Sequence, residues 1–184
     1  MQTVYYTASS LDGFIATQDH SLEWLLQFED PEGSSYPDFI ASVGAIAMGS
    51  GTYAWLLREH LRLGTPQAQP WPYTQPTWLF SSRPWELPEG ADIRIVKGDV
   101  RPVHAAMRAV AGDKGLWIAG GGDLAGQFLD AGLLDRLIIQ IAPVTLGGGR
   151  PLLPRRQTRP PLSLQEVRPF GQGFVELRYG VEKA

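Results

Sequence analysis

The stretch LWIAGGGDLAGQFL, residues 116–129, limits what this chain can fold into more than any other. An apolar run stops at Gly120-Gly121-Gly122 and an amphipathic pattern begins at once, with Leu124 and Phe128 four apart and Ala125 and Leu129 four apart. Residues four apart share a helix face. The same order of strand, glycine turn and helix recurs at AIAMGSGTYAWLL, residues 45–57. Parallel strands need a crossover between them, and a helix is the usual one. A chain that repeats this unit is committed to an α/β domain with a mostly parallel central sheet and helices on both faces.

The remaining segments fit that plan. A first strand is expected over Thr3–Ala8, followed by a turn at Asp12-Gly13 and a short extended piece. LEWLLQF (22–28) and YPDFIASV (36–43) read as short helices, and AIAM (45–48) as a buried strand. In the helix after Gly49-Ser50-Gly51, one apolar face holds Tyr53, Leu56, Leu57, His60 and Leu61. Residues 64–76 contain four prolines without periodicity and read as a loop. TWLF (77–80) and IRIV (93–96) are strands, and Asp99 caps a helix whose apolar positions are Val103, Met107 and Val110. Pro102 is tolerated there because it falls in the first turn. RLIIQIA (136–142) is apolar at nearly every position, as a strand covered on both faces should be. The chain closes with a hairpin, LSLQEV and FVELRYGV around PFGQG, in which Val175, Leu177, Tyr179 and Val181 alternate with polar or small neighbours.

The 184 residues are expected to form one domain, 1–184, with 43% hydrophobic and 19% charged residues, an ordinary globular balance. The formal charge is −3 and no basic block stands out, so nucleic acid is not an expected partner. The absence of cysteine excludes disulfides, thiolate metal sites and a cysteine nucleophile. No apolar run approaches the ~20 residues of a membrane span, and the N-terminus lacks the pattern of a signal peptide, so a cytoplasmic protein is expected.

Two readings of the triple glycine stand side by side. Bare N–H groups at a helix start, favoured by the helix dipole, suit a phosphate. A tight turn alone would need the same residues. Gly120-x-Gly122-x-x-Ala125 matches a dinucleotide fingerprint, but the acid expected about 20 residues on is missing from LIIQIAPV. Asp123 already offers the dipole a negative charge. Two further strand ends carry anion-binding groups: Gly49, Ser50, Gly51 and Thr52, and then Ser81, Ser82 and Arg83. Three such ends of one sheet suit a ligand with several phosphates. The other polar candidates have plainer readings. His60 reads as a core or rim residue, His104 borders a core stripe, and His20 lies in a loop; no pair has metal spacing, and no metal is expected. Glu29, Asp30 and Asp38 flank the early helices as caps or solvated acids. Trp24, Trp55 and Trp71 read as core or lid residues. Asp12, just after the first strand, either makes the Asp-Gly turn or serves chemistry at a site rim.

Taken in order, SSLDGFIA, MGSGTYAWL, IAGGGDLAGQFLDAGLLDRL and IAPVTLGGGRPLL resemble the reductase domain of the bifunctional riboflavin-biosynthesis deaminase–reductase and its stand-alone, dihydrofolate-reductase-like relatives. The resemblance runs from residue 2 to about 181. It implies a three-layer dihydrofolate-reductase-like fold, NADPH as hydride donor, a heterocyclic small-molecule substrate, no membrane or nucleic-acid partner, and a homodimer. Carried over, Gly49, Ser50, Gly51 and Thr52 would meet cofactor phosphates, Ser81, Ser82 and Arg83 the adenosine ribose phosphate, and Gly120, Gly121, Gly122, Asp123 and Leu124 the pyrophosphate. Ala8 would lie near the nicotinamide and Asp12 on the substrate side. The family's usual arginine is Ser50 here, which admits NADH as well; its usual lysine is Phe14 and its usual glutamate is Ala119. The expected activity is therefore reduction of a pyrimidine- or pterin-like ring by a reduced nicotinamide. A true dihydrofolate reductase is the alternative enzyme and would need a carboxylate such as Asp30 or Asp38 beside the pterin. A cofactor-binding protein without turnover is the alternative of another class.

Overall fold

The computed structural model describes residues 1–28, 32–62 and 64–183. Among these residues ten strands form: β1 (Thr3–Ser10), β2 (Phe14–Ala16), β3 (Val43–Gly49), β4 (Thr77–Phe80), β5 (Ile93–Val96), β6 (Gly115–Gly120), β7 (Arg136–Ala142), β8 (Arg150–Pro151), β9 (Ser163–Phe170) and β10 (Phe174–Gly180). The α-helices are α1 (Glu23–Leu26), α2 (Tyr36–Ala41), α3 (Ser50–Trp55), α4 (Val100–Ala111) and α5 (Gly122–Asp130). Eight strands make one sheet in the order β5-β4-β3-β6-β1-β7-β10-β9, and β2 pairs with β8 beside it. The six strands from β5 to β7 run parallel, while β10 is antiparallel to β7 and β9 antiparallel to β10.

Alternation along the strands sorts the side chains into two cores. Tyr5, Ala45, Ala47, Leu116, Ile118, Leu137 and Ile139 face Val103 and Met107 of α4 and Phe128 of α5. Their neighbours in sequence, Val4, Tyr6, Ile46, Met48, Trp117 and Ile138, face Tyr53 of α3 and the aromatic Tyr36 and Phe39 of α2. This is the three-layer arrangement with helices on both faces and an antiparallel C-terminal hairpin.

Several expectations shift by one step. β1 continues past Ala8 to Ser10, because Ser9 and Ser10 keep pairing with Ile141 and Ala142 of β7. The short helices are shorter than their apolar patterns, at Glu23–Leu26 and Tyr36–Ala41. Asp99 caps α4, accepting from the Arg101 backbone N–H. The buried stripe of α4 is Val100, Val103, Met107 and Ala111, which leaves Val110 on its margin and 46% exposed. His60 is exposed rather than on the apolar face. The helix widens after Trp55 into a π-helical stretch over Leu56–Leu61, so the residue five after Leu56, Leu61, returns to the core in place of the residue four after it.

Candidate active site

Where parallel strands end together, the turns that follow them lie along one edge of the sheet. β4, β3, β6 and β1 are consecutive, so Ser81–Arg83, Gly49–Thr52, Gly120–Leu124 and the end of β1 near Ala8 are brought side by side in that order. The sequence-predicted residues therefore do converge.

The three glycines do different work. A Cβ on Gly120 would overlap the Thr52 hydroxyl, so Gly120 lets the two glycine turns touch. A Cβ on Gly122 would overlap the carbonyl oxygens of Pro151 and Leu152, so Gly122 lets β8 pass against the start of α5. Gly121 has φ +82°, a conformation that favours glycine, and a Cβ there would lie 3.7 Å from the Leu124 side chain and 3.9 Å from its backbone nitrogen. No side chain caps α5, and its first N–H groups have no acceptor within the helix. Asp123 stays an anion there, its charge offset by the Arg155 guanidinium. Its carboxylate accepts from Arg155 at 3.0 Å and Gln127 at 2.9 Å, and these bonds hold it below the usual carboxylate range.

At the second turn, the His20 imidazole lies 3.2 Å from where a Cβ on Gly51 would stand. Burial pushes the His20 pKa down, and the charges of Arg150 and Arg58 lower it further, so the ring is neutral at pH 7. Sequence reading left His20 in a loop; only the fold sets it, with two arginines near, against the glycine turn. At the third strand end the Ser81 hydroxyl is engaged locally, donating to the Arg83 carbonyl at 3.0 Å and accepting from Trp85 Nε1 at 2.9 Å. Arg83 is exposed and stacks over Trp85, 4.0 Å from the ring centroid. Asp12 is exposed and its carboxylate accepts from the Ser10 hydroxyl and from the backbone N–H groups of Leu146 and Gly147. These bonds, the Ser10 one foremost, keep it ionised below the usual range. It ties the turn after β1 to the TLGGG loop.

Beside Ala8 opens a cleft of about 560 Å³. Its walls are aromatic, from Tyr6, Tyr36, Trp55, Tyr73 and Trp117, and its rim includes Thr52 and Ala119. Burial raises the pKa of Tyr6, Tyr36 and Tyr73, so these phenols stay protonated at neutral pH. Behind the cleft lies a buried polar group of residues that sequence reading missed. Glu176 is 1% exposed. It accepts from Ser35 Oγ at 2.5 Å, Gln140 Nε2 at 2.9 Å and Arg178 Nε at 2.8 Å. Burial pushes its carboxyl up, but the three hydrogen bonds and the Arg178 charge outweigh that and hold it below the usual range. The Gln140 amide nitrogen also donates to Tyr6 Oη at 2.6 Å. Two signals in the sequence mark this cluster in retrospect. Gln140 is the polar residue in the middle of a doubly covered strand, and Glu176 shares the strand parity of the buried Phe174. The carboxylates proposed for a pterin site fare differently: Asp38 is exposed on α2, and Asp30, like the neighbouring Glu29 read as a cap or solvated acid, lies outside the described residues.

Comparison with known proteins decides the family. The RibD C-terminal domain matches residues 62–175. YwjB of Bacillus subtilis, an uncharacterized protein, is 34% identical over 97% of this chain and 97% of its own. The chain belongs to the RibD C-terminal domain family. Among solved structures, a protein with a provisional riboflavin-biosynthesis name from Shewanella sp. PV-4 is 26% identical with a TM-score of 0.80, covering 100% of both chains. The deaminase and 5-amino-6-(5-phosphoribosylamino)uracil reductase of Thermotoga maritima matches with a TM-score of 0.65 and 15% identity, over 97% of this chain and 56% of that one. Dihydrofolate reductase from Enterococcus faecalis, complexed with NADP(H), matches with a TM-score of 0.57 and 15% identity, over 97% and 95% of the two chains. The fold of this chain is thus dihydrofolate-reductase-like. No helix among the described residues is long and apolar enough to cross a membrane.

Proposed function

We propose that this domain is an NADPH-dependent reductase of a flat nitrogen heterocycle of the pyrimidine or pterin kind, in the manner of the 5-amino-6-(5-phosphoribosylamino)uracil reductases. One observation carries the reading: three anion-binding strand ends lie in sequence along one sheet edge and lead to an aromatic cleft at Ala8. The chain fits a dinucleotide there. Gly121 and Gly49 present backbone without a side chain, and a Cβ at either would meet its neighbours no closer than 3.7 Å, which leaves room for a phosphate to approach. Gly120, Gly121, Gly122, Asp123 and Leu124 line the pyrophosphate, with Gly49, Ser50, Gly51 and Thr52 opposite. Arg150 and Arg58, whose charges reach His20, make up for the cation lost at Ser50. Ser82 and Arg83 meet the ribose phosphate, and Ser81 shapes their turn. Ala8 borders the nicotinamide. Bound NADPH supplies the hydride; the chain orients the ring between aromatic walls and excludes water. With Ala119 and Phe14 in place of charged residues, the ring is read by neutral groups. Asp12, held ionised by its bonds, anchors the TLGGG loop on the substrate side. We place the reductase in the cytoplasm as a homodimer.

The test uses the cleft's own tryptophans, Trp55 and Trp117. NADPH should quench their fluorescence, and a heterocycle panel should show loss of reduced-nicotinamide absorbance with at least one ring. Arg83→Ala should weaken NADPH by about 1–3 kcal/mol, the range of a charge-assisted hydrogen bond, and leave NADH nearly unchanged. Wild-type protein that does not bind NADPH would sink the reading, and equal losses for both cofactors would remove Arg83 from it.

A further inference from the structure

One rung of the sheet crosses the floor of the cleft. Ala8 of β1 is paired with Gln140 of β7, and Gln140 with Glu176 of β10. Paired residues point to the same face, so Gln140 stands between the cleft at Ala8 and the buried carboxylate of Glu176. Gln140 itself lines the cleft and is 8% exposed.

The amide of a glutamine has a donor end and an acceptor end of nearly the same shape, and a neighbour must choose between them. Here the choice is forced. Glu176 also receives Ser35 and the Arg178 guanidinium, so it is an ionised carboxylate that only accepts. The Gln140 nitrogen must face it, at 2.9 Å, and the same nitrogen reaches Tyr6 Oη at 2.6 Å. Among the described residues, Gln140 Oε1 accepts no hydrogen bond. An amide oxygen at a half-closed apolar cleft is costly to leave unmatched once a ligand displaces water.

We propose that Gln140 is the specificity-determining residue of this cleft: Glu176 fixes its amide so that Oε1 faces the ligand as an acceptor, and it selects flat heterocycles that carry a ring N–H over those that do not. Glu176 acts through Gln140 and is a positioning residue. The inference rests on the cleft being the substrate site of the proposed reductase.

The probes are lumazine, which has two ring N–H groups, and 1,3-dimethyllumazine, which has none. Binding is read by quenching of Trp55 and Trp117, with no turnover needed, and NADPH binding is titrated separately. Wild type should prefer lumazine by about tenfold or more, the worth of one buried hydrogen bond. Glu176→Gln replaces an obligate acceptor by a group that can donate, so Gln140 is free to turn and the preference should fall severalfold. Gln140→Met removes the acceptor and should abolish the preference, and it decides the matter if Glu176→Gln does not fold by circular dichroism. A purely structural role would weaken both probes alike and leave their ratio unchanged. Steric rejection of the methyl groups would likewise survive both substitutions. An unchanged ratio in the folded variants, or no preference in wild type, overturns the proposal. NADPH binding with no probe preference overturns it alone; failure of NADPH to bind strikes the reductase reading instead.

Discussion

Asp12 shows how a residue's surroundings narrow its role. A carboxylate that accepts from one hydroxyl and two backbone N–H groups is a fixed anion, poorly suited to give up or take a proton near pH 7. Its lowered pKa follows from those same bonds. Asparagine can accept but cannot be an anion, and its N–H₂ end faces donors. Asp12→Asn should therefore fold, but with faster amide exchange at Leu146 and Gly147, and Asp12→Ala should go further. Hydrogen exchange followed by mass spectrometry over 144–150 reads this directly. Unchanged exchange in both variants would show that the loop is held by other means. Protection of these amides, relative to their intrinsic exchange rate at each pH, should fall in wild type as the pH drops through the depressed pKa, because protonation removes the anion.

At the scale of elements, the glycine turn before α5 separates binding from packing. Both are served by glycine, and substitution tells them apart. Gly121 has φ +82°, and its missing Cβ would meet Leu124 only at ordinary contact distances of 3.7 and 3.9 Å, so Gly121→Val strains the turn by about 1–3 kcal/mol and puts a side chain in the phosphate's approach. It should remain folded and lose NADPH. Gly122→Val meets the Pro151 and Leu152 carbonyl oxygens, which are backbone and cannot rotate away. It should push β8 off α5 and cost more stability than Gly121→Val, in thermal melts of the apoprotein. Equal melting temperatures for the two variants would contradict the packing role.

At the scale of the whole molecule, Glu176 links the C-terminal hairpin to the sheet and the early loop, through Gln140, Ser35 and Arg178. Its folded pKa is depressed, so its contribution to stability is complete above the ordinary glutamate pKa of about 4.3 and is lost as the pH falls through the lower folded value. Wild type should show little pH dependence from this group near neutrality and a steeper acid limb below about pH 4.3 than Glu176→Gln does. Denaturant titrations at a series of acid pH values compare the two, and parallel curves would deny Glu176 this role. The outer strand of the sheet, β9, leaves Leu164 and Val167 each 54% exposed. An edge strand with apolar side chains outside is a natural surface for a second copy. In the proposed homodimer, Leu164→Lys with Val167→Lys should lower the mass seen by light scattering to that of one chain. A wild-type mass of one chain would remove the dimer.

The alternation of apolar runs, glycine turns and helical periods was enough to determine the α/β class, the place along the chain of nearly every strand and the cap at Asp99. These are local properties, carried by residues within a few positions of one another. The turns Gly49–Thr52, Ser81–Arg83 and Gly120–Leu124 were legible for the same reason, since each follows its own strand. What joins them into one edge is the strand order, which no local pattern contains. Gln140 and Glu176 are 36 positions apart and meet only because β7 and β10 pair in one register. In sequence Glu176 is a polar residue in an alternating strand whose parity with Phe174 only hints at burial; its place beside Arg178 and Ser35 is a decision of packing. The same holds for Gly120 and Gly122, whose need for glycine comes from Thr52 and from the carbonyls of β8, elements that approach only in the folded chain.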